Sequence, residues 1–544
     1  MSIGRSTALM AGGTLASRLT GLARTVVFFW FGTTALAETY TKANNTPNMI
    51  FELVVGGVLS ATLVPLFVDL ARHRGPATTS DPANEQRNAD GIDAIVTLVA
   101  VILVAAVVVL FLLAPALMWI VFRRPDETVQ RQLGTELLRL FAPQVAVYGF
   151  VTIATSMLNA RRRFLAPMLA PVLNNLVVIV VLLWARRLVV HLVPDQNQRS
   201  TDSLATLRAV AADGPTRLLL GLGTTAGVVA MGVALLVPWS RGGARIRWNW
   251  QPRHPAVRRM VRLSGWTFGY VAANLVALQF VAGALPGRGE FTAYTLAYTT
   301  FFLLPHGIFS VSVMTALQPE LSLAYLERKR GVFRRHLTSG IRSILAVTLP
   351  AAAGYLALAP SIMRIFVVGD LTPQGSRLVA DVLRCFVVGL PAFSVYLLLM
   401  NACKAMLDTR STFIINCVEN AINIVLAGLF VRLGFGAQGL GAAFATAYIV
   451  AVLVAGAYVA QRTGGLDIPA LLNAGRKMLA ASAVMGLTVW AAARGLHSVL
   501  NGRFAVVEVG AAAVLGVSVY AVLGRALAIT EVESVVRSVR RRLR

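Results

Sequence analysis

Apolar residues occur along this sequence in long runs that short polar segments separate. About 14 runs reach 18 residues or more, the length of a helix that crosses a hydrocarbon core of about 30 Å. The runs do not alternate between apolar and polar positions, as the strands of a membrane β-barrel do. The pattern therefore predicts an all-α polytopic membrane protein, with spans near residues 6–31, 45–70, 92–122, 135–159, 165–185, 217–239, 259–285, 290–324, 343–368, 380–402, 412–434, 438–460, 477–496 and 504–524.

The composition agrees with this prediction. Hydrophobic residues make up 56% of the 544 residues, charged residues only 14%, and the mean hydropathy is +0.69. These values are too apolar for a soluble protein. The three cysteines, Cys385, Cys403 and Cys417, have no paired spacing, so we expect neither a disulfide framework nor a metal site.

The net charge of +26 could indicate a nucleic-acid-binding protein, but the positions of the charges favour another explanation. Every second loop is basic, including residues 160–164, 240–259 and 327–335 and the end of the chain. This is the positive-inside asymmetry of membrane proteins. It predicts that both termini are cytoplasmic. Membrane topology also accounts for the net positive charge, so binding to nucleic acid is not needed to explain it.

The two halves of the sequence contain a repeat. The segment from Pro143 aligns without gaps on the segment from Pro391, and Tyr148 with Tyr396 and Asn175 with Asn423 are among the identities. Repeats of this kind build the two bundles of many transporters. We predict two parallel six-helix lobes around a central cavity, residues 1–240 and 241–462, followed by two further spans and a basic cytoplasmic tail, residues 463–544.

Arg18 and Arg24 lie inside the first apolar run. A charged side chain at membrane depth costs at least about 2.5 to 3.5 kcal/mol, so each arginine needs a partner or water. Three interpretations remain open: snorkelling to an interface, a buried ion pair with Glu38 or Glu52, and an anion site in a water-filled cavity.

The stretch "NCVENAIN" places Asn416, Glu419, Asn420 and Asn423 at positions i, i+3, i+4 and i+7, on one face of a helix. Carboxylate and amide oxygens suit a hard cation such as Na⁺, or the carboxylate can accept a proton. The alternative is a ladder of hydrogen bonds between helices. Both interpretations remain open on sequence alone.

Signatures of enzymes, such as "HExxH", "GxxxxGK[ST]" and "GxSxG", do not occur in the sequence. The six histidines have no metal-ligand spacing. We expect neither an enzyme nor a cofactor, except Na⁺ or H⁺ as a coupling ion. Active transport would then use an ion gradient or the membrane potential.

The N-terminal segment "ASRLTGLARTVVFFWFG", the following "TPNMIFELVVGGVLSATLVPLF" and the later "LPHGIFSVSVMTALQPELS" resemble the MviN or MurJ family of bacterial lipid II flippases. This family is part of the wider multidrug and oligosaccharidyl-lipid exporter superfamily. The resemblance implies flipping of lipid II, the undecaprenyl-pyrophosphate-linked peptidoglycan precursor, from the inner to the outer leaflet by alternating access. It implies a bacterial cytoplasmic membrane protein that acts in cell-wall synthesis.

Two arginines match family positions that are thought to bind the pyrophosphate, Arg18 and Arg24. By the same resemblance we expect four residues to line or gate the cavity: Glu38, Asn48, Glu52 and Thr300. Our hypothesis is that Glu38 and Glu52 pair with the arginines when substrate is absent.

The sequence also departs from the family. Phe51 and Glu52 stand where some members have arginines, Thr25 stands where they have aspartate, and the Asp-Arg expected near Thr299 is missing. The alternatives are therefore a flippase for another prenyl-pyrophosphate-linked saccharide and a multidrug exporter of the MATE type. The expected partners are the glycolipid and the bilayer, and the sequence does not predict an oligomeric state.

Overall fold

The computed structural model describes residues 16–53 and 82–533, apart from residues 18, 29, 32–33, 123, 161–164, 202, 241–246, 285–288, 368–370 and 500–503. The described residues are mostly helical, and no strand occurs among them. The chain divides into two compact units, Met1–Gln279 and Phe280–Arg544. The predicted lobe boundary near residue 240 stays a prediction.

The first unit consists of helices and short connections. Its helices are α1 (Leu19–Phe28), α2 (Ala35–Phe51), α3 (Pro82–Val121), α4 (Thr128–Phe141), α5 (Gln144–Ala160), α6 (Leu165–Leu192), α7 (Gln196–Thr201), α8 (Ser203–Ala212), α9 (Gly214–Ser240) and α10 (Pro255–Ala284), which extends past the unit boundary. A short 3₁₀ turn, Pro125–Glu127, precedes α4. Helix α9 packs along α6, and α2 packs against α4.

The second unit contains longer helices. They are α11 (Glu290–Leu326), α12 (Arg330–Ile365), α13 (Pro373–Val388), α14 (Leu390–Ala405), α15 (Thr409–Arg432), α16 (Gly436–Thr463), α17 (Ile468–Val499) and α18 (Ala505–Ala526). Helix α11 contains two π-helical stretches, Ala297–Phe302 and His306–Ser310. Helix α15 packs along α16, and α12 packs along α17.

Ten helical segments of the described residues are long and apolar enough to cross a membrane, with α4 and α5 counted together as one segment, Pro125–Leu158. The bent pair α13 and α14, with an angle of 49° between the two helices, would make eleven. Only 17% to 50% of the residues in the apolar windows of the ten helices are buried, so much of this apolar surface suits lipid. The predicted count of 14 stays a prediction. The span near 45–70 lies mostly outside the described residues, and two further apolar segments, Leu19–Phe28 and Gly265–Val281 within α10, are shorter.

Helix α2 is the main difference from the predicted helix bounds. It begins at Ala35, whereas the sequence pattern placed the second span near residue 45 and a loop before it. The Thr34 hydroxyl accepts a hydrogen bond from the Ala37 N–H at 3.3 Å and caps the helix. The polar residues that resemble a loop point into the protein instead: Glu38, Thr39 and Lys42 are buried.

The repeat gives two similar helix breaks. In the first copy α4 ends at Phe141, and α5 starts after Pro143. In the second copy α13 ends at Val388, and α14 begins at Leu390, directly before Pro391. Proline cannot donate a backbone hydrogen bond within a helix, which explains why both copies break beside it.

Candidate functional site

Arg24 lies on α1 and is partly buried. Its guanidinium interacts electrostatically with the side chains of Tyr40 on α2 and Tyr148 on α5. The Tyr40 hydroxyl is 2.8 Å from the Thr224 hydroxyl of α9, so its position is fixed. The other predicted pyrophosphate residue, Arg18, lies outside the described residues. In the first unit the structure therefore places one arginine beside two phenolic hydroxyl groups.

Helix α1 is attached to α6 by polar contacts. The Asn175 side-chain amide donates to the Thr20 hydroxyl at 3.1 Å and to the Ser17 carbonyl at 3.4 Å. A Cβ at Gly21 would lie 3.6 Å from the same amide, so the two helices approach closely here. These contacts fix the helix that carries Arg24.

Glu38 forms an ion pair with Lys42 one helical turn later, with 2.8 Å between the carboxylate and ammonium groups. The two residues are only 3% and 6% exposed. The Lys42 ammonium also lies 4.8 Å from the centre of the Phe122 ring, which adds a cation–π contact. Sequence reasoning missed Lys42, although its i, i+4 spacing from Glu38 would have indicated the pair once this segment was recognised as a helix. The predicted gating role of Glu38 stays a prediction.

The other predicted cavity residues lie in less constrained positions. Asn48 is half-buried on α2, and its amide donates to the Asn44 carbonyl at 3.4 Å. Glu52 is exposed at the end of α2. Thr300 is half-buried in the first π-helical stretch of α11. Stretches of π-helix often occur at functional sites.

The four residues of the predicted polar face lie on α15, in the second unit. They are all buried, with exposed fractions of 1% for Asn416 and Glu419, 6% for Asn420 and 7% for Asn423. The Asn420 amide donates to the Asn416 carbonyl at 2.9 Å. Among the described residues, no hydrogen-bond donor reaches the Glu419 Oε2 or the Asn423 Oδ1 atom.

A buried acceptor oxygen that no described donor reaches is costly, because burial removes the hydrogen bonds that water would give. A cation or a proton at the Glu419 carboxylate would remove this cost, and the Asn423 carbonyl oxygen could serve as a further ligand. The Tyr294 side chain of α11 interacts electrostatically with Glu419, so α11 borders the same region. The α15 face thus has the chemistry of a small cation site.

A third buried carboxylate, Glu508 on α18, was also missed by sequence reasoning. It accepts hydrogen bonds from Arg364 Nη2 at 2.7 Å and from the Ser361 hydroxyl at 2.6 Å, both on α12. These contacts attach α18 to α12. They need no external cation, because the arginine supplies the positive charge.

Comparisons with known proteins show the family and the fold of this chain. A protein of Rhizobium meliloti named as a probable lipid II flippase MurJ is 26% identical over 508 residues, which cover 90% of this chain and 87% of the relative. A solved structure of a lipid II flippase MurJ in an inward closed conformation covers 95% of this chain and 98% of its own, with a TM-score of 0.70 and 20% identity. An inward-facing multidrug resistance MATE family transporter of the MOP superfamily covers 82% of this chain and 94% of its own, with a TM-score of 0.61 and 15% identity.

The two structures share the fold of this chain, an all-helical transporter fold. The sequence profile of the lipid II flippase MurJ family matches residues 29–510, which is most of the chain and covers the larger part of each compact unit. The predicted membership is confirmed: this multi-span helical membrane protein belongs to the lipid II flippase MurJ family.

Proposed function

We propose that this protein flips lipid II from the inner to the outer leaflet of the bacterial cytoplasmic membrane by alternating access, with both termini in the cytoplasm. The observation that carries the proposal is Arg24, a partly buried cation that interacts with the side chains of Tyr40 and Tyr148 in the first unit. Arg24 lies just before residues 29–510, which the family profile matches. The protein acts as a transporter and not as an enzyme.

Arg24 and Arg18 bind the pyrophosphate of the substrate. A guanidinium group suits this role, because its planar N–H donors bind two phosphate oxygens at once and it stays charged at any working pH. The Tyr40 and Tyr148 hydroxyls beside Arg24 support the proposal, since they can donate further hydrogen bonds to an anion. Glu38 and Glu52 gate the site by pairing with the arginines when substrate is absent, and Glu38 exchanges its Lys42 partner for an arginine in that state.

The α15 face of Asn416, Glu419, Asn420 and Asn423 binds the coupling ion, Na⁺ or H⁺. The support is the burial of the four residues and the acceptor oxygens of Glu419 and Asn423 that no described donor reaches. Ion binding at this face favours return to the inward state, because a ligand shifts a conformational equilibrium toward the state that binds it more tightly.

The test is a flipping assay with purified protein in liposomes that contain fluorescent lipid II on the inner leaflet. We expect wild type to expose the lipid outside, and Arg18→Ala/Arg24→Ala to lose at least about 100-fold in rate, as expected when two charge-assisted contacts to phosphate are lost. The matched control, Arg253→Ala/Arg258→Ala, removes two exposed arginines near the start of α10 and should retain the wild-type rate.

Two results would contradict parts of this proposal. If both double variants lose the same activity, the effect belongs to overall charge and the arginines of α1 do not form the pyrophosphate site. If wild type does not move lipid II but moves another prenyl-pyrophosphate-linked saccharide, the lipid II assignment is wrong.

A further inference from the structure

A cavity of about 720 Å³ lies in the second unit where several helices end. Its lining comes from three separate segments of the chain: the connection between α11 and α12, the connection between α14 and α15, and the end of α16. The first two are basic loops that the charge pattern predicts to be cytoplasmic. Known small-molecule sites commonly enclose about 300 to 1,000 Å³, so the cavity has the size of a ligand site.

One wall of the cavity is a fixed polar network around Asp408. This residue caps α15 by accepting from the Ser411 N–H at 3.1 Å. The Tyr458 hydroxyl donates to the Asp408 carboxylate and accepts from the Ser411 hydroxyl at 2.7 Å and from Arg462 Nε at 3.0 Å. Partial burial alone would raise the pKa of Asp408, but the hydrogen bonds from Tyr458 and Ser411 outweigh it and lower the pKa below its ordinary value. Asp408 is thus ionised at neutral pH and orients Arg462.

Positive charge exceeds negative charge around the cavity. Three arginines line it, Arg328, Arg330 and Arg462, against the single carboxylate of Asp408. Among the described residues, neither the Arg328 nor the Arg330 guanidinium has an ion-pair partner. Arg330 is also the first residue of α12, where the helix dipole adds partial positive charge. The cavity is therefore suited to an anion.

Backbone strain is concentrated at the same cavity. Arg328 and Leu407 both line it and have φ angles of 56° and 59°, in the left-handed region that favours glycine. Only three residues other than glycine have positive φ angles in the described part of the chain, and these are two of them. Such strain is unfavourable and tends to persist at functional sites.

The rim of the cavity is apolar. Leu326, the last residue of α11, is 69% exposed, and Leu407, between α14 and α15, is 77% exposed, although a polar residue at either position would meet water without cost. Arginines beside exposed leucines, at the end of membrane-spanning helices, are suited to a ligand that is anionic at one end and apolar at the other.

We propose that this cavity binds the phosphodiester headgroup of an anionic bilayer phospholipid from the leaflet that its basic loops face. Arg328, Arg330 and Arg462 donate to the phosphate oxygens, and Leu326 and Leu407 contact the start of the acyl chains. The site lies within the second unit and uses none of the residues proposed for the pyrophosphate or the coupling ion. It does not depend on lipid II as the transported substrate.

The test uses the full-length protein in detergent and measures phosphatidylglycerol binding by native mass spectrometry. Phosphatidylcholine is the uncharged comparison, and inorganic phosphate is the water-soluble one. We expect phosphatidylglycerol to bind more tightly than either. Arg328→Gln/Arg330→Gln should weaken this binding by at least about tenfold, the loss expected for charge-assisted hydrogen bonds.

Two further variants make the result specific. Arg253→Gln/Arg258→Gln removes the same charge from exposed positions outside the cavity and should leave the affinity within about twofold of wild type. Leu407→Gly removes an apolar contact and relieves the positive φ, so it should weaken lipid binding about three- to fivefold without loss of folding.

Three outcomes would overturn the proposal. An equal loss in both arginine pairs would show general surface attraction. Inorganic phosphate that binds as tightly as phosphatidylglycerol would identify a free phosphate as the ligand. Equal binding of phosphatidylcholine would show that the anionic charge is not recognised.

Discussion

Each compact unit buries a glutamate one helical turn before a polar residue at the i+4 position. In the first unit this pair is Glu38 and Lys42 on α2, and in the second it is Glu419 and Asn423 on α15. The spacing and burial are alike, but only the first pair supplies its own positive charge. Lys42 lies 2.8 Å from the Glu38 carboxylate, whereas Asn423 presents a carbonyl oxygen that no described donor reaches.

The difference explains which buried carboxylate is a candidate for ion binding. A buried carboxylate needs a cation or a proton, because the loss of water disfavours its charge. Glu38 has an internal cation, and Glu508 has Arg364. Glu419 has three asparagines on its own helix face and no cation within ion-pair distance among the described residues. In the proposed function, a cation or a proton from solution fills this role, and this is why the α15 face is the candidate for the coupling ion.

The largest effect is expected when Lys42, the cation that pairs with Glu38, is removed. Lys42→Asn leaves Glu38 buried without its lysine and should lower the free energy of unfolding by roughly 3 to 5 kcal/mol. Thermal unfolding of the purified protein measures this loss. Adding Glu38→Gln to the variant should recover most of it, because the charge that Lys42 balances is gone. Wild-type stability in Lys42→Asn would show that the Glu38 carboxylate does not depend on Lys42.

The second test concerns the external cation. Wild type should gain about 2.7 kcal/mol of stability when Na⁺ reaches 100 times its dissociation constant, and Glu419→Gln should abolish this gain. Thermal unfolding at fixed ionic strength, with choline replacing Na⁺, separates the ion from general screening. The same gain in Glu419→Gln would remove Glu419 from the Na⁺ site. Thermal stability that depends on pH and not on Na⁺ would identify the proton as the ligand.

The third test builds a glutamate–lysine ion pair, like that of Glu38 and Lys42, on α15 of the second unit. Asn423→Lys places an ammonium at the i+4 position from Glu419, as Lys42 lies from Glu38. We expect about 1 to 2 kcal/mol more stability without Na⁺ and no remaining Na⁺ response, because the internal cation takes the site. Asn423→Met is the control for side-chain volume and should not stabilise the protein. A Na⁺ response that persists in Asn423→Lys would place the ion away from Asn423.

The sequence predicts some of these functional residues and does not predict others. The four α15 residues follow from their helical spacing, because a long apolar run fixes the helix that they share. Lys42 could not be found in this way, since α2 is a polar helix whose charged side chains point inward, and apolar periodicity does not detect such a helix. The cavity with Arg328, Leu407 and Arg462 needs three segments that only tertiary packing brings together.

The smallest effect is expected from the two asparagines that occupy equivalent positions in the repeat. Asn175 donates to Thr20 and Ser17 across α1 and α6, whereas the Asn423 oxygen meets no described donor. Asn175→Ala should lower the free energy of unfolding by about 0.6 kcal/mol, the average for hydrogen bonds between membrane helices, with and without Na⁺. Asn423→Ala should cost nothing without Na⁺ and should weaken only the Na⁺ response, as measured in the same unfolding experiment. A Na⁺-dependent loss in Asn175→Ala would contradict the comparison, because it would mean that ion binding is not confined to the second unit.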